Sequence, residues 1–327
     1  MKIKVHIDYP PAGAAKEALL KNLDPRIQLT FGPNLPELAD FEILVAGRPD
    51  HTQLRASPNL KTLIIPWAGL PDGTQELLTN FPHISAHNLH HNAAPTAETA
   101  LALLLAAAKF LVPIDQTFRK NDWSPRYQPS PSVMLYGKAV LILGFGRIGS
   151  RIGRVCHALD MRVIGIKRHI RPPESYDYPV EIHPPEDLHS LLPRVQVLII
   201  TLPNTPDTIG WIGAPQLALM PRGGLLVNVG RGPIVDQFAL FNALKEKHLA
   251  AAGLDVWYNY PASPEERTST PPADVSFNQL ENVVMSPHRA GTVLEIETLR
   301  MQHVAELLNA AASGQPIPNA VDLQRGY

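Results

Sequence analysis

Glycine occupies the first, third and sixth places of Gly144-Phe145-Gly146-Arg147-Ile148-Gly149, which lies between an apolar run and a stretch of helical character. Each glycine there has a physical use. The first permits a tight strand-to-helix turn, the second lets the backbone approach a pyrophosphate, and the third lets helix and strand pack closely. The helix that follows offers N–H groups and a partial positive charge to the phosphates. The spacing therefore predicts a dinucleotide site at Gly144, Gly146, Arg147, Ile148 and Gly149. The next apolar run ends in Lys167-Arg168-His169, with Arg171 close behind, at the point where a carboxylate would bind a ribose 2′-hydroxyl. Cations at that point attract a 2′-phosphate, so Lys167 and Arg168 predict NADP as the preferred cofactor over NAD.

Two other side chains have types suited to holding an anion and to moving a proton. Arg231 presents a planar fork of donors to a carboxylate or a carbonyl oxygen, a geometry lysine cannot copy. His288 has the intrinsic pKa to give a proton in reduction and take it back in oxidation. Other residues receive plainer readings. Cys156, the only cysteine, lies on the apolar helix after the glycine turn and reads as a small core residue. His87, His90 and His91 cluster without a metal-ligand pattern, and no metal is expected.

Positioning these residues takes two βα series. In the first, strands are expected over 3–7, 27–31, 41–46, 63–65 and 84–86, and one long helix over 96–111, with Pro95 at its start and Pro113 after its end. The stretch 114–135 is polar and proline-bearing and reads as a crossing between domains. In the second, strands are expected over 139–143, 162–166, 197–201, 224–229, 251–255 and 283–285. Helices fit 148–159, 185–192, 236–247 and 293–312. The 327 residues exceed what one hydrophobic core holds and suit two domains. With 45% apolar and 18% charged residues the composition is globular, and a net charge of −1 gives no support for nucleic-acid or membrane binding. A single cysteine excludes a disulfide within the chain and fits a cytoplasmic setting.

The glycine turn is similar to that of the D-2-hydroxyacid dehydrogenase family. So, in the same order, are Thr96-Ala97-Glu98, Thr201-Leu202-Pro203-Asn204-Thr205-Pro206-Asp207-Thr208, Val227-Asn228-Val229-Gly230-Arg231-Gly232-Pro233-Ile234-Val235-Asp236, Gly253-Leu254-Asp255-Val256 and Ser286-Pro287-His288-Arg289-Ala290-Gly291. The resemblance implies an α/β protein of two Rossmann-like or flavodoxin-like βα domains with parallel sheets, the cofactor domain inserted into the substrate domain. The boundaries expected are 1–110 plus 292–327 for the substrate domain and 111–291 for the dinucleotide-binding domain. It implies reduction of a small 2-keto acid, with glyoxylate and hydroxypyruvate as first choices. Arg231 would hold the substrate and His288 would act as acid and base. Thr96, Pro203, Thr208, Val229 and Gly230 would join the cofactor site, and Asp255 would lie near the nicotinamide carboxamide. The loop Pro66-Trp67-Ala68-Gly69-Leu70 would bind substrate carboxylate through Ala68 and Gly69, with Trp67 and Asn92 beside the substrate. A homodimer built partly on 114–135 is implied as well.

One position departs from the family. Tyr260 stands before Pro261 where the family usually has the Glu that pairs with the histidine. A phenol can orient an imidazole but stabilises the imidazolium less, so His288 is expected to keep its role at a lower pKa. Glu265 and Glu266 follow in the same loop as candidate substitutes. The departure keeps two alternatives open. One is a formate dehydrogenase-like enzyme, whose relatives carry Gln rather than Tyr at that place; the other is a nucleotide-sensing interaction protein with weak catalysis.

Overall fold

The computed structural model describes residues 2–36, 39–170 and 175–324, so Arg171 lies outside the described residues. Two compact units emerge: Met1–Asn92 with Thr292–Tyr327, and Ala93–Gly291. Each is built on a wholly parallel sheet, as a βα rhythm dictates.

In the first unit, strands β1 (Ile3–Ile7), β2 (Ile27–Phe31), β3 (Ile43–Val45), β4 (Thr62–Ile65) and β5 (Ser85–Asn88) form a sheet of order β2-β1-β3-β4-β5. Alternate residues of the strands enter separate cores. Val5, Ile7, Ile43, Val45 and Ile64 pack with Leu19 of the helix Gly13–Lys21 and with Val304 and Leu308 of the helix Ile296–Ala312. Leu44, Leu63 and Ile65 pack on the opposite face with Leu54 and Leu78.

In the second unit, β6 (Ala139–Leu143), β7 (Arg162–Ile166), β8 (Glu181–His183), β9 (Val197–Ile200), β10 (Gly224–Asn228), β11 (Leu249–Leu254) and β12 (Val283–Met285) take the order β12-β11-β10-β9-β6-β7-β8. Every residue of β6 is buried, which explains its unbroken apolar run. Ala139, Leu141 and Leu143 enter the core with Leu198 and Leu226, while Val140 and Ile142 enter the other with Val197 and Leu225.

Three expectations about elements need correction. The single helix expected over 96–111 is two helices, Ala93–Ala108 and Leu111–Phe118, because Phe110 takes a left-handed φ of 50° between them. Pro113 lies inside the first turn of the second helix, where its missing N–H has no helical partner to lose. The crossing expected over 114–135 therefore carries helical structure, including the short helix Ser124–Tyr127. The first boundary between units falls after Asn92 rather than after 110. The helix Ala93–Ala108 buries Ala97, Ala100, Leu103 and Leu104 in a core of the second unit, and a Cβ on Gly253 of β11 would stand 2.7 Å from the Leu103 Cβ. The edge strand β8 and the helix Ala214–Leu219 have no counterpart among the elements expected from sequence. Glu181-Ile182-His183 is polar and only half-buried, so it lacks the apolar pattern that marks its neighbours.

Candidate functional site

The glycine turn joins β6 to the helix Arg147–Ala158, and its three glycines differ physically. Gly144 has a φ of +91°, and a Cβ there would stand 3.0 Å from Thr201 Oγ1. A Cβ on Gly149 would run into the Gly144 carbonyl oxygen, so helix and strand approach only because that place is empty. A Cβ on Gly146 would meet nothing. That open surface lies at the N-cap of the helix, where no side chain caps the first turn. The N–H groups of Arg147, Ile148 and Gly149 occupy that turn, where a helix has no internal acceptor for them. Open space above Gly146 and an uncapped helix end fit a pyrophosphate. Phe145 is turned away: its ring fills the space where a Cβ of Gly165 in β7 would be.

Beyond β7, Lys167 donates its N–H to the His183 carbonyl, and Arg168 Nη2 lies 3.8 Å from the Asp207 carboxylate. Asp207 belongs to the loop after β9, which Thr208 shapes from within. Its hydroxyl donates to the Pro203 carbonyl at 2.8 Å and accepts the Thr205 N–H at 2.9 Å. Thr201 Oγ1 ties the same loop to the Gly144 carbonyl at 2.7 Å. Thr96 and Thr208 are both buried, and Val229 follows β10 in the core. A Cβ on Gly230 would lie 2.6 Å from the Leu202 carbonyl oxygen, which keeps the segment after β10 against the loop after β9.

Arg231 follows at once. Asn228 spans the turn, donating from its amide nitrogen to the Arg231 carbonyl at 2.9 Å and accepting the Gly230 N–H at 3.0 Å. Arg231 Nη1 donates to the Gly230 carbonyl at 2.7 Å. His288 lies on the turn after β12 with a φ of +52°, which is uncommon for a side chain of its size. Asp255, at the end of β11, enforces that turn. Its carbonyl accepts the His288 N–H at 2.7 Å, and its carboxylate accepts from the Ser286 hydroxyl and from the N–H groups of Arg289 and Ala290. Asp255 is buried, and these bonds are those of a strand-end cap.

Tyr260 Oη lies 2.9 Å from His288 Nδ1 and accepts the Trp257 N–H at 3.2 Å. Tyr260 and His288 are therefore in contact, and the Arg231 guanidinium lies near enough to act on both electrostatically. Although His288 is exposed, burial of the ring behind its open face is the largest cause of a pKa held below the usual histidine value. The neighbouring Arg231 guanidinium adds to that depression, and Asp255 opposes it. Burial also pushes Tyr260 above the ordinary tyrosine value, so it remains a phenol at neutral pH. Neither Glu265 nor Glu266 is among the groups acting on the imidazole: Glu265 accepts from Ser263, and Glu266 accepts the Ala262 N–H at 3.0 Å.

In the first unit, the loop from Pro66 to Leu70 follows β4. Asn88 Nδ2 donates to the Ala68 carbonyl at 2.9 Å, and Leu89 N–H donates to the Trp67 carbonyl at 3.0 Å. The Trp67 ring covers Gly47, which follows β3, and the Arg48 guanidinium lies 5.9 Å from the Trp67 ring centroid. Gly69 is half-buried in that loop, and Asn92 half-buried at the last turn before the helix Ala93–Ala108. Sequence reasoning passed over Arg48; the signal was a glycine and a cation directly after a buried strand.

Residues 101–290, more than half of the 327, match the family described as D-isomer specific 2-hydroxyacid dehydrogenase, NAD binding domain. The chain belongs to that family. A D-3-phosphoglycerate dehydrogenase of Archaeoglobus fulgidus is 30% identical over 327 aligned positions, covering 98% of this chain and 59% of that protein. A glyoxylate reductase of Aeropyrum pernix is 38% identical over 236, covering 69% of this chain and 66% of that protein. The chain thus spans a little over half to two thirds of the length of these curated relatives. Among solved structures, an NADPH-dependent glyoxylate/hydroxypyruvate reductase of Sinorhizobium meliloti, in complex with NADP and sulfate, superposes with a TM-score of 0.77 at 24% identity. That likeness covers 100% of both chains and is one of fold. In this chain the group bonded to the histidine ring is the Tyr260 phenol.

Proposed function

We propose that the chain is an NADP-dependent reductase of small 2-keto acids, of the glyoxylate or hydroxypyruvate kind, that forms the D-2-hydroxy acid. The observation that carries this reading is the hydrogen bond between Tyr260 Oη and His288 Nδ1 at 2.9 Å, with the Arg231 charge acting on both side chains. Engagement of Nδ1 leaves Nε2 to face a substrate. When bound, the nicotinamide supplies the hydride.

The chain's own residues supply the rest. Arg231 holds the carboxylate and orients the carbonyl through its planar donors. His288 gives its Nε2 proton to the carbonyl oxygen as hydride adds to the carbon, and takes the proton back when a hydroxy acid is oxidised. Tyr260 orients the ring without lending it a negative charge. Asp255 acts as a positioning residue for the turn that carries His288, and its place at the end of β11 is assigned to the neighbourhood of the nicotinamide carboxamide. Ala68 and Gly69 are assigned to substrate carboxylate through backbone N–H groups, with Trp67 and Asn92 as further substrate contacts.

Gly144, Gly146, Arg147, Ile148 and Gly149 would hold the pyrophosphate at the uncapped helix end. Pro203, Thr208, Val229 and Gly230 form the rest of the cofactor wall, and Thr96 supports it from the helix Ala93–Ala108. The preference for NADP rests on Lys167 and Arg168: a 2′-phosphate would replace the distant Asp207 carboxylate as partner of Arg168. We assign the protein to the cytoplasm on its single buried cysteine, and a homodimer to the exposed apolar side chains Leu111, Phe118, Trp123 and Tyr127.

The test is oxidation of NADPH, followed by absorbance, across a panel of 2-keto acids. Turnover of glyoxylate or hydroxypyruvate that disappears in both Arg231→Ala and His288→Ala is the expected result. Cofactor binding with no turnover on any substrate would instead favour a nucleotide sensor.

A further inference from the structure

In the family pattern a glutamate beside the histidine would favour the imidazolium. In this chain the partner is a neutral phenol. The charged and titratable groups acting on the His288 ring are Arg231 from the segment after β10 and Asp255 from the end of β11, and Tyr260 from the loop beyond β11 bonds its Nδ1. Asp255 is a poor substitute for the absent glutamate, because its carboxylate is already shared among the Ser286 hydroxyl and the Arg289 and Ala290 N–H groups. Arg231 is a fixed cation. The site therefore carries a guanidinium acting on an imidazole, with no carboxylate among the described residues dedicated to either.

We propose that the substrate's own carboxylate is the missing counter-ion, so that binding of a 2-keto acid is coupled to uptake of a proton by His288. This deepens the keto-acid reading above and rests on it. The carboxylate pairs with Arg231, whose charge is the second cause after burial of the depressed His288 pKa, and brings a negative charge that favours the imidazolium. Solvent supplies the proton, the imidazole becomes imidazolium, the ligand stays a carboxylate, and no covalent bond changes. Tyr260 is compatible with this because its oxygen can accept the Nδ1–H of the imidazolium while still accepting the Trp257 N–H; its neutrality, and not its hydrogen bond, is what leaves the counter-charge to the substrate. The sign follows by linkage. A ligand that favours the imidazolium binds more weakly as pH rises above the free-protein pKa, and that value lies below the usual histidine one. Affinity should therefore fall by about tenfold per pH unit through neutrality until the pKa of the complex is passed.

The experiment is calorimetric titration of the NADPH-saturated protein with oxamate, a non-reducible 2-keto acid isostere, in two buffers of different ionisation enthalpy at neutral pH. Proton uptake, and not activity, is the readout. The wild type should take up most of a proton per ligand bound, and Tyr260→Phe should match it. Tyr260→Glu should take up far less, since its histidine is already charged, and His288→Gln should take up none. Buffer-independent heats in the wild type overturn the proposal, as does undiminished uptake in Tyr260→Glu or in His288→Gln. Oxamate binding without proton uptake sinks this proposal alone. Failure of oxamate and of every small 2-keto acid to bind sinks the keto-acid reading, and this one with it.

Discussion

The phenol of Tyr260 leaves His288 oriented but without a charge on its hydrogen-bond partner, and that has a kinetic consequence. Reduction needs the imidazolium, so kcat/KM should decline as pH rises through the depressed His288 value of the free enzyme. Tyr260→Glu should move that decline upward by about one pH unit or more. Coincident pH–rate profiles would show that Tyr260 does not tune the histidine. At Arg231, replacement by lysine keeps the charge but loses the fork, and kcat/KM should fall by roughly 100-fold or more. At Arg168, which lies 3.8 Å from Asp207, replacement by alanine should cost about tenfold in kcat/KM with NADPH and leave NADH nearly unchanged. Equal losses with both cofactors would remove the 2′-phosphate assignment.

At the scale of elements, the turn between β6 and the helix Arg147–Ala158 separates two roles that glycine plays. Gly149 closes the strand against the helix, whereas Gly146 faces open space. Gly149→Ala should therefore destabilise the protein by about 1–3 kcal/mol in urea unfolding, because its Cβ has nowhere to go. Gly146→Ala should leave the unfolding midpoint nearly unchanged and weaken NADPH binding, measured by fluorescence titration. A stability loss at Gly146 equal to that at Gly149 would contradict the assignment of the open surface to the phosphates. The turn at His288 follows a different logic. Its left-handed backbone is held by Asp255, so the end of β11 acts on chemistry through the shape of a neighbouring turn as well as through its charge, which opposes the depression of the His288 pKa.

At the scale of the whole molecule, the helices Leu111–Phe118 and Ser124–Tyr127 display Leu111, Phe118, Trp123 and Tyr127 to solvent, and Phe118 and Trp123 meet edge to face at 4.7 Å between ring centroids. Apolar surface of this kind marks an interaction face. Sedimentation should give a mass of two copies for the wild type and of one copy for a Phe118→Ser, Trp123→Ser double variant; a monomeric wild type would end the dimer proposal. The amino-acid sequence alone determined the two parallel βα series, because strands buried on both faces must be written as unbroken apolar runs such as Ala139–Leu143. It also marked the glycine turn between β6 and the helix Arg147–Ala158. It did not reveal the break at Phe110, since a left-handed residue carries no compositional sign when it is not glycine. Nor did it reveal the polar edge strand Glu181–His183, which has one covered side and so little apolar pattern. The partner of His288 was a tertiary decision. Tyr260, Glu265 and Glu266 all lie within reach along the chain, and only the path of the loop after β11 turned the phenol to Nδ1 and both carboxylates elsewhere. The same holds for Asp255, whose residue type allowed a role toward ligand or backbone; the three donors converging on its carboxylate came from the turn after β12, which meets it only in the folded chain.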